Sequence, residues 1–332
     1  MKRGAIIGLG KIALTAHLPA YEKISDKIKI VAGVDIHRET LQQVSNQYPE
    51  IRLYDNLDTM LENENIDFVD ICSTPKTHYE ILSKVANKGI NIICEKPFSI
   101  SLNESISAAE IIKKNNIAFI PCHQYRYSPI WKEFKKMSEE TKEQKIFAQF
   151  NVIRMKADEG YSISNTGWRT NSSYSGGGII ADTGVHYIYL VYWMIGEPLK
   201  ITSNIYNISH NYEVEDTAII IIETKKGVAQ INLSWGGDKR YNSAAMISKN
   251  AGLYYDGEKM VKNFNGNEKI IPVPDASDKT HYINYYVDLF KEFLSEIDDK
   301  KNKDYWLKEA VNSISILENS YKSAKIGQTI SK

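Results

Sequence analysis

Cysteine is scarce, neither sign of charge is in excess, and no apolar run is long enough for a membrane. Each shortage removes a class of protein. The three cysteines, Cys72, Cys94 and Cys122, lie at or near the ends of apolar runs. An odd number without close spacing argues against a disulfide framework or a zinc knuckle, so they read as buried, reduced thiols and no metal site is assigned. Lys+Arg and Asp+Glu each number 41, giving a net charge of zero. Nucleic-acid binding calls for a basic face or stripe, and none is present. No stretch of about 18 apolar residues exists to span a bilayer. The apolar run after Met1-Lys2-Arg3 ends at Gly8 and is too short for a signal peptide, so the expected location is cytoplasmic. No internal repeat or low-complexity tract stands out. The expected partner is a small molecule.

What is present is rhythm. A chain of 332 residues implies two domains at about 150 residues each. Short β-like runs at 3–7, 28–34, 68–71, 91–94 and 117–121 alternate with helical patterns at 12–23, 38–47, 77–88 and 102–115. That alternation predicts a doubly wound parallel sheet over residues 1–124. Beyond Ser128-Pro129 a helix at 130–137 precedes long β-like runs at 145–155, 201–209, 217–223 and 228–235. Lys225-Lys226-Gly227 and Asn265-Gly266 are hairpin links, the latter between runs at 260–264 and 268–273. Hairpins imply an antiparallel sheet. With closing helices at 282–296 and 305–324, residues 125–332 read as an α+β domain.

Gly8-Leu9-Gly10-Lys11-Ile12-Ala13 follows the first strand and opens a helix. Gly8 permits the tight turn, Gly10 lets backbone approach a pyrophosphate, and Ala13 allows close helix–strand packing. The helix start offers N–H groups to the anion. An ordinary strand–helix turn would look similar, but Asp35 ends the second strand, where a carboxylate hydrogen-bonds adenosine ribose hydroxyls. Its charge repels a 2′-phosphate and favours NAD over NADP, while the nearby Arg38 works in the opposite direction.

Glu95-Lys96-Pro97 ends another strand. The residue before proline is held extended, so Lys96 is placed at the carboxyl edge of the sheet, where this fold binds ligands. Gly176-Gly177-Gly178 leads into a helical run at 179–193. There Asp182 and His186, at i and i+4, share a face. Either residue alone could be structural, offsetting a helix dipole or filling a core. The glycine approach tips the pair toward chemistry.

These runs, with His17-Leu18-Pro19-Ala20, Ser73-Thr74-Pro75 and His78, Tyr125-Arg126-Tyr127-Ser128-Pro129, Gly167-Trp168-Arg169, Trp193 with Gly196-Glu197-Pro198, and Glu215-Asp216-Thr217-Ala218, resemble the Gfo/Idh/MocA family of oxidoreductases. The family is named for glucose–fructose oxidoreductase and inositol dehydrogenase. The resemblance implies a Rossmann domain joined to an open-faced, mainly antiparallel sheet domain, assembled as a homodimer or homotetramer through that sheet. It implies that Lys96, Asp182 and His186 form the active site, with the Lys96–Pro97 bond often cis in relatives. It places Ser73, Thr74, Pro75 and His78 in the loop beside the nicotinamide and ribose. Glu95 belongs with the cofactor set, and Trp168 and Arg169 match positions that reach the cofactor. Tyr125 and Arg126 fall in the substrate-binding stretch, where Gln124 departs from the Asn of many relatives.

The reaction so implied is oxidation of a secondary hydroxyl in a sugar, cyclitol or derivative. Hydride passes to the nicotinamide, His186 oriented by Asp182 takes the proton, and Lys96 hydrogen-bonds the oxygen. Which of Lys96 and His186 finally holds the proton stays open. Tyr125, Tyr127, Trp168 and Trp235 are candidates to stack on a sugar. Arg126, Arg154, Lys239 and Arg240 are candidates to meet a carboxylate or phosphate. Two other readings remain: a glycoside-cleaving enzyme that uses tightly held NAD transiently and releases no net NADH, and a regulator that senses dinucleotide or sugar. Regulators of this kind tend to lose the catalytic side chains, and here all three are present.

Overall fold

The computed structural model describes residues 1–141, 144–158, 167–274 and 281–331. Six strands, β1 (Lys2–Ile7), β2 (Ile28–Val34), β3 (Arg52–Tyr54), β4 (Phe68–Ile71), β5 (Asn91–Cys94) and β6 (Phe119–Pro121), pair in parallel in the order β3-β2-β1-β4-β5-β6. The order reverses between β1 and β4, which marks the switch point where doubly wound sheets bind ligands. Helices Arg38–Gln47, Pro75–Asn87 and Leu102–Lys114 fall where the apolar periodicity puts them. Ser101 caps the last of these by accepting the Glu104 N–H at 3.3 Å.

Around this parallel sheet, two elements escape the sequence pattern. Strand β3 has three residues, too few to show alternation, and helix Leu57–Asn63 announces itself only through its Asn56 cap. The segment expected as one helix over 12–23 is a wide π-turn, Ala13–His17, followed by helix Leu18–Glu22. Pro19 has no N–H to donate to the preceding turn, so regular α-helical bonding fails there.

The chain forms two compact units. One holds Met1–Gln124 and Tyr282–Val311, with Gly167 and Trp168; the other holds Tyr125–Asp158, Arg169–His281 and Asn312–Lys332. Helix Tyr282–Asp299 therefore packs with the parallel sheet rather than with the sheet that precedes it in sequence. Its aromatic stripe explains why. The Phe290 ring stacks on Tyr21 at 4.1 Å, Tyr286 lies 4.2 Å from His17, and Phe293 meets Phe68 at 5.3 Å. Such pairs contribute about 0.5–1.5 kcal/mol each beyond the area they bury.

The second unit carries β7 (Ile146–Ile153), β8 (Pro198–Tyr206), β9 (Thr217–Thr224), β10 (Gly227–Ser234), β11 (Tyr241–Ser248), β12 (Ala251–Tyr255), β13 (Met260–Phe264), β14 (Asn267–Ile271) and β15 (Ile330–Ser331). They form one sheet in the order β14-β13-β12-β11-β7-β10-β9-β8-β15. Every described pairing is antiparallel except β7 with β10. Asn265 and Gly266, at φ +51° and +80°, make the hairpin between β13 and β14. Strands β11 and β12 are not legible in the sequence, because Asn, Ser, Ala and Gly fill positions where β-branched residues would signal a strand.

Alternation gives this sheet two faces. Ala218, Ile220 and Ile222 of β9 point to the buried side. Helices Pro129–Glu140 and Val185–Ile195 cover that side, with Trp131 and Tyr187 both against Phe150. On the opposite side Phe147, Ile219, Ile221, Ile247 and Tyr254 are exposed. Among the described residues no helix is long and apolar enough to cross a membrane. All three cysteines are buried and unpaired with one another, and burial pushes each thiol up.

Candidate active site

In the first unit, the turn after β1 has one closed side and one open side. The Gly8 N–H donates to the Val34 carbonyl at 2.8 Å, and Gly8 sits at φ +89°. A Cβ there would lie 2.5 Å from the Ser73 backbone nitrogen, so only glycine fits. At Gly10 an added Cβ would meet nothing within 4 Å. Lys11, Ile12 and Ala13 follow at the start of the helical segment, whose first N–H groups suit an anion. Asp35 braces the turn. One of its oxygens accepts the Leu9 N–H and the other the His37 N–H, both at 2.9 Å. Each oxygen keeps a lone pair for a ribose hydroxyl, so the residues present fit an adenine dinucleotide. Arg38, exposed, begins the next helix.

Ser73 and Thr74 are half-buried beside this turn, and Pro75 opens helix Pro75–Asn87. His78 is fully buried, its ring nitrogens each 3.0 Å from the carbonyl oxygens of Ser73 and Pro97. It braces two loops. Burial holds its pKa below the usual range despite those carbonyls.

Lys96 follows β5, half-buried, with a cis bond to Pro97. Its backbone is fixed from below. Glu95 Oε2 accepts the Lys96 N–H at 3.0 Å, while Oε1 accepts the Tyr286 hydroxyl at 2.6 Å and faces His17 Nε2 at 3.0 Å. The other His17 nitrogen lies 2.7 Å from Asp70 Oδ2, which also accepts the Tyr21 hydroxyl at 2.8 Å. Burial opposes charge on His17, but Asp70 and Glu95 outweigh it and lift its pKa to about 9. Burial likewise opposes the Glu95 carboxylate, and His17 holds it below its usual range. A charged imidazole between two carboxylates thus underlies the lysine.

In the second unit, Gly176-Gly177-Gly178 leads into a π-turn, Ile180–Gly184, and helix Val185–Ile195. Tyr321 and Glu215 require the glycines. A Cβ on Gly177 would lie 1.9 Å from the Tyr321 hydroxyl, and one on Gly178 would lie 2.0 Å from the Glu215 carbonyl. The Glu215 carboxylate accepts the N–H groups of Gly178 and Ile180 at 2.9 and 3.0 Å, with the Tyr321 hydroxyl at 2.8 Å. Burial still raises its pKa.

Asp182 Oδ1 pairs with Arg169 Nε at 2.9 Å, and Oδ2 accepts the Thr183 hydroxyl at 3.1 Å. His186 Nδ1 lies 2.9 Å from the Tyr189 hydroxyl, and the Tyr125 ring stacks on the imidazole at 4.2 Å and 14°. The Tyr125 N–H donates to that same Tyr189 oxygen at 3.1 Å. The contacts described around the imidazole are therefore aromatic, whereas those described for Asp182 run to Arg169 and Thr183. Sequence reasoning missed Tyr189, although its i+3 position puts it on the His186 face. Arg126 lies over the Trp193 ring at 4.9 Å, and Trp235 is a core residue at 1% exposure. Trp168 opens the short turn Trp168–Thr170.

Residues 2–123 match the family model described as "Oxidoreductase family, NAD-binding Rossmann fold", and residues 147–253 match the "GFO/IDH/MocA C-terminal domain". The chain belongs to the GFO/IDH/MocA family. It is an NAD-binding oxidoreductase. A curated relative, an uncharacterized protein of Saccharomyces cerevisiae, is 24% identical over 319 residues, 91% of this chain and 89% of that protein. The myo-inositol 2-dehydrogenase of Thermotoga maritima is 24% identical over 68% of this chain and 66% of its own length. Among solved structures, a levoglucosan dehydrogenase in complex with NADH and levoglucosan superposes with a TM-score of 0.86 at 16% identity, over 99% of both chains. That likeness shows a shared fold.

Proposed function

We propose that this GFO/IDH/MocA protein oxidises a secondary hydroxyl of a sugar, cyclitol or related small molecule, with Lys96, Asp182 and His186 handling the proton. The observation that carries the proposal is the setting of His186. His186 Nδ1 lies 2.9 Å from the Tyr189 hydroxyl, and one ring face is covered by Tyr125. NAD, when bound, supplies the hydride acceptor. Tyr189 Oη has two lone pairs; one takes the Tyr125 N–H and the other can take an Nδ1–H. In that tautomer Nε2 carries no hydrogen and can accept the hydroxyl proton. Lys96 donates a hydrogen bond to the substrate oxygen and stabilises alkoxide charge as it develops. Arg169 pairs at 2.9 Å with Asp182, four residues before His186. The myo-inositol and levoglucosan named for the two relatives support the sugar or cyclitol class.

The test is NADH formation across polyols, aldoses, amino sugars and nucleotide sugars. Turnover of at least one such alcohol, lost in His186→Ala, is the expected result. No oxidation of any of them would overturn the substrate class. The exposed apolar side of the nine-stranded sheet further supports a homodimer or homotetramer with that side as its contact.

A further inference from the structure

Strands β7 and β11 are antiparallel, with Tyr241 opposite Ile153. One step past the end of this ladder the register puts Arg240 opposite Arg154. Both continue the inward-facing alternation, Arg154 after Phe150 and Val152, Arg240 before Asn242 and Ala244. Arg154 is only 9% exposed. Its Nη1 donates to the Ile153 carbonyl at 2.7 Å and to Asn242 Oδ1 at 2.8 Å, both neutral acceptors. Arg240 Nε is buried without a hydrogen-bond partner. Among the described residues no carboxylate pairs with either guanidinium. Like charges facing each other across strands repel, and a charge as buried as that of Arg154 is ordinarily paired.

Their neighbour is the catalytic helix. Tyr187, next to His186, packs on Phe150 of β7 at 5.6 Å. Its phenol is raised by burial and by Tyr125, and the charges of Arg154 and Arg240 act on it in the opposite direction. Tyr187 meets the edge of Tyr125 at 6.2 Å, and Tyr125 is the ring stacked on His186. Two cations without a carboxylate partner among the described residues thus act on Tyr187, whose ring meets the Tyr125 ring stacked on the imidazole. Lys239, by contrast, is exposed.

We propose that Arg154 and Arg240 form an anion subsite, and that the substrate is a sugar or cyclitol bearing a carboxylate or a phosphate. A guanidinium presents its donors in a planar fork that matches either oxyanion. The inference rests on the reading of His186 as the group at the reacting hydroxyl. It adds charge selection to that reading.

The test uses the protein saturated with NAD. Calorimetry measures binding of D-glucuronate, D-galacturonate, glucose 6-phosphate and inositol 1-phosphate against methyl glucoside and myo-inositol, and NADH formation is followed in parallel. At least one acid should bind about tenfold or more tightly than the neutral compounds, with the uronates and phosphates distinguishing the two oxyanions. Arg240→Gln should remove that preference and raise KM for the acid at least about tenfold while kcat changes less than about threefold. Arg240 is half-exposed, so this variant complements Arg154→Gln, whose side chain is buried. No binding of any acid, or acid binding undiminished in Arg240→Gln, overturns the subsite. Oxidation of neutral polyols with indifference to acids overturns the subsite and leaves the proposed reaction standing. Arg240-dependent acid binding without NADH formation does the reverse.

Discussion

The Tyr189 hydroxyl joins the His186 ring to the Tyr125 backbone, 2.9 Å from Nδ1 and 3.1 Å from the amide nitrogen. The hydroxyl oxygen can accept from an Nδ1–H whether the imidazole is neutral or charged, so the same contact serves the ring on both sides of a proton transfer at Nε2.

His186→Ala should lower turnover by about 10²–10⁴-fold, the range for a general base, or roughly 3–5 kcal/mol of transition-state stabilisation. Tyr189→Phe keeps the aromatic packing and removes only the hydroxyl. It should cost about tenfold in kcat and displace the pH profile of kcat, with NAD affinity held within about threefold. Steady-state rates and NAD titrations on the two variants check both statements. A His186→Ala protein with near-normal turnover would place the proton acceptor elsewhere.

Asp35→Ser should narrow the preference for NAD over NADP, because a carboxylate repels a 2′-phosphate and a hydroxyl does not. Asp35 also accepts the Leu9 and His37 N–H groups, so some loss of NAD affinity should accompany the change. Calorimetric titration with both dinucleotides decides the matter. Tighter NADP binding to the unaltered protein would refute the preference.

The buried His17 cluster predicts a pH window for stability. His17 is raised from 6.5 to about 9 in the folded protein. Its contribution is fully present below pH 6.5 and is lost as pH rises through about 9. Glu95 is lowered, so its contribution is present above the ordinary carboxylate range and lost as pH falls through its depressed folded value. Between pH 6.5 and about 9 the His17 effect amounts to a few kcal/mol at about 1.4 kcal/mol per pKa unit. Urea unfolding at closely spaced pH values should show this decline, and His17→Gln should flatten it.

Ile219→Asp together with Ile221→Asp should dissociate the assembly if the outer sheet face is the subunit contact, since both are exposed apolar residues of β9. Light scattering at micromolar concentration reads the change. Monomer in the unaltered protein would remove the proposal.

Much of this molecule was legible in its sequence because local signals agree with the fold. Alternating short strands and helices gave the parallel sheet, and Asn265-Gly266 gave its hairpin. Gly8 gave the turn, since a positive φ and a backbone 2.5 Å from its missing Cβ admit nothing larger. The motifs around Lys96, Asp182 and His186 pointed to them as the proposed active site. Tertiary structure alone decided what each of them touches. Helix Tyr282–Asp299 packs with the first sheet because Phe290 and Phe293 find Tyr21 and Phe68, partners distant in sequence. His17 becomes a charged brace only because Asp70 and Glu95 arrive at its two nitrogens on different strands. Arg154 and Arg240 become a pair only through the register of β7 and β11. Periodicity records which face of an element is buried; which charges meet there depends on strand order and register, which local sequence does not encode.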